Sequence, residues 1–146
     1  KVRERVRALG LEACVEMPGV LGYEETRVQY ARADVVAFPS VWLESFGLVG
    51  LEAMANGKPV VAFRTGGVPD WLDDGENGLL ADLKDTAGFA ERIGRLLDDP
   101  GLAGRLGQNG HARARREFTG EVYLGRLLAI YDAAVGKRRR CAFPAS

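Results

Sequence analysis

The sequence has two cysteines, one histidine and no surplus of charge, and each scarcity excludes a class of protein. Cys14 and Cys141 lie near opposite ends of the chain with no further Cys or His beside either, so neither a disulfide framework nor a zinc site is written here. Unpaired cysteines point to a reducing, cytosolic setting. Twenty Lys plus Arg balance 20 Asp plus Glu, which argues against nucleic-acid binding, because that depends on excess positive charge. No apolar run approaches the roughly 18 residues of a membrane span, and no signal-peptide pattern opens the chain. Neither G-x-G-x-x-G nor a Walker pattern occurs.

What remains is a chain of 146 residues, 47% hydrophobic, of the length and composition of one globular domain with a core of its own. It begins at Lys1 inside a helical pattern, KVRERVRALGLEA, as expected of a piece of something longer. Ala13 to Met17 suits a short strand ending at Pro18-Gly19, and Tyr23 to Ala33 a helix. The runs Asp34 to Phe38 and Pro59 to Phe63 are apolar throughout and too short for helices, the signature of strands buried on both faces. Between them Phe46 to Asn56 reads as a helix closed by Gly57. A short helix at Val68 to Leu72 and a weak strand at Gly78 to Ala81 follow. Strands alternating with helices predict an α/β fold, a Rossmann-like parallel sheet with flanking helices. The last third is helical, over about Thr86 to Asp98, Gly101 to Phe118 and Gly120 to Val135. Gly101, Gly104, Gly107 and Gly110 in the second of these predict a frayed helix start. Residues 1–136 are expected to form one domain and 137–146, opening with Lys137-Arg138-Arg139-Arg140, a basic, disordered tail.

Ligands of open parallel sheets bind beyond the carboxyl ends of the strands, which directs attention to Ser40–Gly47 and Arg64–Gly67. Glu44 falls in the first loop, where it or Ser45 could simply cap the following helix. Glu52 stands inside the apolar stretch Leu48–Ala55, at the edge of an expected buried stripe of Leu48, Leu51 and Ala55. Its bland explanation is a salt bridge to Arg64 or Lys58. The functional alternative is a polyol, since one carboxylate accepts two hydrogen bonds from vicinal hydroxyls. Eight residues of helix rise about 12 Å, the scale separating the two sugars of a nucleotide sugar. Phe46-Gly47-Leu48, between the acids, would offer N–H groups to a diphosphate.

The E-x7-E spacing of Glu44 and Glu52, preceded by Pro39-Ser40 and followed by EAMANGKPVVAFRTGGVPDWLDDGENGLLAD, resembles the retaining glycosyltransferases of family 4, which have the GT-B fold. The likeness runs from about residue 1 to 135 and includes the FG after the first acid, the GG-x-P turn, the DG-x-x-GLL strand and the LL-x-DP helix end. It implies the carboxy-terminal, nucleotide-sugar-binding domain of such an enzyme, with its first strands missing. Glu44 would contact the donor hexose and act in catalysis, Glu52 would hold the ribose, and the backbone of Ser45, Phe46, Gly47 and Leu48 would line sugar and phosphates. Val20 and Leu21 would lie beside the nucleobase. For Gly66-Gly67, proximity to the donor phosphates and a plain tight turn are equally good accounts.

The resemblance implies transfer of a hexose from a nucleotide diphosphate sugar with retention and without a metal or other cofactor, in agreement with the lack of a D-x-D pair. The family's acceptor domain, its catalytic His and the Arg/Lys pair that holds the diphosphate are not found in residues 1–146, so the isolated chain is expected to be inactive. His111 is read as a surface residue and no substitute. The partners implied are the donor, an N-terminal acceptor domain and, through that domain, peripheral contact with the cytosolic membrane face. The alternative is an inactive nucleotide-binding fragment or scaffold.

Overall fold

A computed structural model describes residues 1–140, with side chains through residue 136. Helices α1 (Val2–Ala8) and α2 (Tyr23–Arg32) precede strand β1 (Val36–Phe38), helix α3 (Leu48–Ala55) and strand β2 (Val60–Phe63). A 3-10 turn at Val68–Asp70 leads to β3 (Leu79–Ala81), and α4 (Thr86–Asp98), α5 (Pro100–Glu117) and α6 (Gly120–Arg140) complete the order. Local chemistry sets several boundaries. Asp85 accepts a hydrogen bond from the Gly88 N–H at 2.9 Å and starts α4. Asp99 does the same for α5 through Leu102 N–H, with Pro100 in the first turn where its missing N–H costs nothing.

The three strands are parallel in the order β1-β2-β3, with Val36 opposite Val60 and Val61 opposite Leu79. Period-two alternation sends β2 into two cores. Val60 and Ala62 meet Ala53 and Met54 of α3, Val68, Trp71 and Leu72 on one side. Val61 and Phe63 meet Phe89 and Leu96 of α4 and Leu106 of α5 on the other. All four residues of β2 are buried, which is why that strand reads as an unbroken apolar run.

Three expectations are corrected. Residues 13–17 form turn and irregular chain instead of a strand, for Cys14 and Val15 are exposed and pair with no neighbouring strand among the described residues. Strand β1 is an edge strand with Ala37 exposed, where burial on both faces was expected. The glycine series of α5 marks no fraying: the helix is continuous from Pro100, and a Cβ at Gly107 would overlap the carbonyl oxygen of Gly57. That glycine lets α5 lie against the turn that ends α3. Helix α6 is described to Arg140, and the remainder of the basic tail, residues 141–146, lies outside the described residues.

Candidate functional site

The site is built where β1 and β2 end. After Phe38 the chain runs through residues 39–47 into α3, and after Phe63 it runs through residues 64–71, so two loops meet at the carboxyl edge of the sheet. They are joined at alternate residues of the first loop. Thr65 Oγ1 donates to the carbonyl of Trp42 at 3.0 Å, Gly67 N–H to that of Glu44 at 2.8 Å, and Trp71 Nε1 to that of Phe46. The approach is close enough that a Cβ at Gly66 would overlap Glu44 backbone and one at Gly67 the Ser45 carbonyl. Gly66 also adopts φ +49, a conformation disfavoured for other residues. Close packing against the Glu44 loop therefore accounts for the glycine pair.

Glu44 is half-buried and its Oε2 accepts a hydrogen bond from Ser40 Oγ at 3.0 Å. Neither Glu44 nor Ser45 caps α3, contrary to the capping alternative: the helix begins four residues later, its N-cap is Gly47 at φ 90, and no side chain occupies that end. Gly47 is buried against Phe38 and Trp71. Gly50 and Leu51 N–H bond back to the Gly47 carbonyl, leaving Leu48 and Val49 as first-turn donors at the positive end of the helix. Because only Leu48 to Glu52 is helical, the rise between them is about 6 Å, and the rest of the separation of the two acids is loop. The 12 Å expected from eight helical residues does not apply.

The buried face of α3 also differs from expectation. Gly50, Ala53 and Met54 are buried, whereas Leu48 and Ala55 are exposed and Leu51 is half-buried. Leu48 and Leu51 instead line a cleft of about 460 Å³ with Phe46, Phe118, Tyr123 and Arg126. The run Leu48–Ala55 is apolar on most sides, so periodicity had little contrast with which to choose a face.

Glu52 is exposed and makes no salt bridge among the described residues. The Lys58 ammonium goes instead to the carbonyl of Ala31 at 2.9 Å. The partner of Glu52 is Tyr30 of α2, whose hydroxyl lies 3.1 Å from Glu52 Oε2 and 3.2 Å from the Val49 carbonyl. Burial, then the hydrogen bond to Glu52 and its charge, push the Tyr30 phenol up to about 12. Thr65, Trp71 and Tyr30 were not singled out from sequence, since their contacts span 22 to 25 residues and carry no local signal.

Of the other candidates, Ser45 is exposed, and Phe46 packs edge-on against Phe118 with ring centres 5.7 Å apart. Val20 is fully exposed and Leu21 half-buried. His111 is half-buried rather than a plain surface residue: its Nδ1 lies 2.8 Å from the Ala55 carbonyl and ties α5 to α3. Among the described residues no three His, Cys, Asp or Glu side chains are grouped to hold a metal ion, and no helix is long and apolar enough to cross a membrane. The arrangement thus offers two carboxylates, one on a braced loop and one on a helix, flanking backbone donors. Such a set suits a ligand with hydroxyls at both ends and an anionic middle.

Parallel α/β architecture with a site at the strand ends defines a Rossmann-like ligand-binding domain, of the kind that forms the carboxy-terminal domain of GT-B glycosyltransferases. The chain belongs to the family described as glycosyl transferases group 1, whose model matches residues 1–113. A D-inositol 3-phosphate glycosyltransferase of Corynebacterium kroppenstedtii is 40% identical over 131 residues, which cover 90% of this chain and 29% of that protein. The chain thus spans under a third of that relative. Sucrose-phosphate synthase from Thermosynechococcus elongatus superposes with a TM-score of 0.82 at 36% identity, covering 91% of this chain and 34% of the other. The Anabaena protein HepE, solved in complex with UDP-glucose, superposes with a TM-score of 0.82 at 29% identity, covering 91% and 36%.

Proposed function

We propose that the chain is the donor-binding part of a retaining, metal-independent glycosyltransferase of family 4 that moves a hexose from a nucleotide diphosphate sugar to an acceptor. The observation that carries this is the pair of carboxylates flanking the uncapped N-terminus of α3, with Glu44 braced on its loop and Glu52 one turn into the helix. The UDP-glucose bound by HepE supports a nucleotide sugar as the ligand. In this scheme Glu52 accepts hydrogen bonds from the ribose hydroxyls and Glu44 from the hexose. The backbone of Ser45, Phe46, Gly47 and Leu48 lines sugar and diphosphate, with the first-turn N–H groups facing negative charge. An acceptor hydroxyl oxygen bonds to the anomeric carbon on the face from which the diphosphate oxygen departs with its electron pair, and that departing oxygen takes the hydroxyl proton, so configuration is kept. Stabilising the departing diphosphate is the largest catalytic contribution expected in such a transfer. It falls to N–H groups and basic side chains, with no cofactor.

The acceptor site belongs to a partner domain N-terminal to this one, and residues 1–146 alone are inactive in transfer. The protein works in the cytosol, with peripheral membrane contact made through the acceptor domain. Glu44→Ala, placed in a protein that contains both domains, is expected to abolish transfer while sparing binding of the free nucleoside diphosphate. Equal loss of both would reverse the roles given to the acids. Binding without transfer by the unaltered two-domain protein would favour the alternative, a nucleotide-binding scaffold.

A further inference from the structure

Glu52 is exposed on α3, and a solvated glutamate ordinarily samples several rotamers. Here one oxygen is held. The Tyr30 ring packs against the core that includes Ala53, Met54 and Trp71, so the position of its hydroxyl is set by packing, and its one proton is shared between Glu52 Oε2 at 3.1 Å and the Val49 carbonyl at 3.2 Å. The phenol, pushed up to about 12, keeps its proton at neutral pH and can only donate to the carboxylate. A neutral donor has a second consequence: unlike Lys or Arg, it leaves the charge of Glu52 uncompensated and available. With Oε2 engaged by one hydrogen bond, Oε1 and the second lone pair of Oε2 remain for a ligand.

We propose that Tyr30 is a positioning residue that fixes the Glu52 carboxylate to receive the two vicinal hydroxyls of the donor ribose. This rests on the donor-site reading above. Tyr30 touches no ligand atom in this scheme; it removes the cost of ordering Glu52 upon binding.

The test is calorimetric titration of the 146-residue chain with UDP, GDP and ADP and with their 2′,3′-dideoxy counterparts. The quantity read is the affinity ratio of each ribose nucleotide to its dideoxy form. Tyr30→Phe keeps the packed ring and is expected to weaken the ribose nucleotide about 3- to 10-fold while leaving the dideoxy form unchanged, so the ratio falls by the same factor. Glu52→Ala is expected to bring the ratio close to one. If Tyr30→Phe weakens both nucleotides equally, the tyrosine is merely structural and the proposal is overturned. A ratio unmoved by Tyr30→Phe but collapsed by Glu52→Ala overturns the role of Tyr30 alone. No binding by the unaltered chain, or a ratio indifferent to Glu52→Ala, removes the ribose site and the role of Tyr30 with it.

Discussion

Glu44 and Glu52 lie eight positions apart, and although each carboxylate accepts a hydrogen bond from one hydroxyl, Ser40 for Glu44 and Tyr30 for Glu52, their backbones are held by different means. The loop around Glu44 is gripped through its backbone, with the carbonyls of residues 42, 44 and 46 bonded to Thr65, Gly67 and Trp71. Glu52 sits on a regular helix that needs no such help, and its side chain is steadied by one hydroxyl. Positioning a carboxylate on an irregular segment requires sequence elsewhere, including a glycine pair and a buried tryptophan. Positioning one on a helix requires a single well-placed donor. Substitutions in the two regions should therefore differ, those in the segment that grips the Glu44 loop acting on stability and Glu52→Ala acting on binding.

The largest effect is expected from Gly66→Ala, which places a Cβ into the backbone of Glu44 at a φ of +49. Overpacking of this kind costs about 2–3 kcal/mol, visible as a drop of several degrees in melting temperature. A Tm within a degree of the unaltered chain would show that the two loops are not tightly joined. Glu52→Ala should leave Tm unchanged, the residue being exposed, and weaken nucleoside diphosphate binding by about 1–3 kcal/mol. Undiminished affinity by calorimetry would remove Glu52 from the ribose site. Thr65→Val should cost about 1 kcal/mol of stability by deleting the bond to the Trp42 carbonyl, with nucleotide affinity little changed. A larger loss of affinity than of stability in denaturant titrations would mean that the brace acts on the ligand directly.

The smallest effect concerns the support behind the brace. Arg113 donates to the Asp70 carbonyl at 3.0 Å, pairs with Asp73 at 2.6 Å and bonds Glu117 at 3.2 Å, so α5 backs the segment that grips the Glu44 loop. The hydrogen bond from Arg116 holds the Glu117 carboxyl below its ordinary 4.5, opposed by burial and reinforced by Arg113. A depressed carboxylate stabilises the fold above its unfolded value and loses that contribution as pH falls through the folded one. Tm curves for the unaltered chain and Glu117→Gln should differ above pH 5, begin to converge below about 4.5 and meet only below the lowered folded value. Curves that stay parallel across that range would contradict the ion pairing.

Strands β1 to β3 and helices α4 to α6 were legible because their signals are local, short apolar runs closed by turn residues and long segments that no strand signal interrupts; the caps Asp85 and Asp99 are visible only in the fold. The false strand at residues 13–17 arose because an apolar run says nothing about whether a neighbouring strand exists to pair with it. The two acids could be picked out by spacing, but not what surrounds them. Neither the short N-terminal reach of α3 nor the face it buries could be read from Leu48–Ala55, since Gly47 ends the regular geometry through its φ and the helix is apolar nearly all round. Tyr30 carries no local signal within the helix expected over Tyr23 to Ala33, because its partners, Val49 and Glu52, lie on α3.

The most direct test of donor binding is to titrate the 146-residue chain with UDP, GDP and ADP while following backbone amide shifts. Donor binding predicts that at least one nucleotide perturbs Phe46 to Glu52 and Tyr30 in a saturable way, with α4 left undisturbed. If none of the three moves those amides even at millimolar concentration, the carboxylates flanking α3 do not form a donor site in this chain.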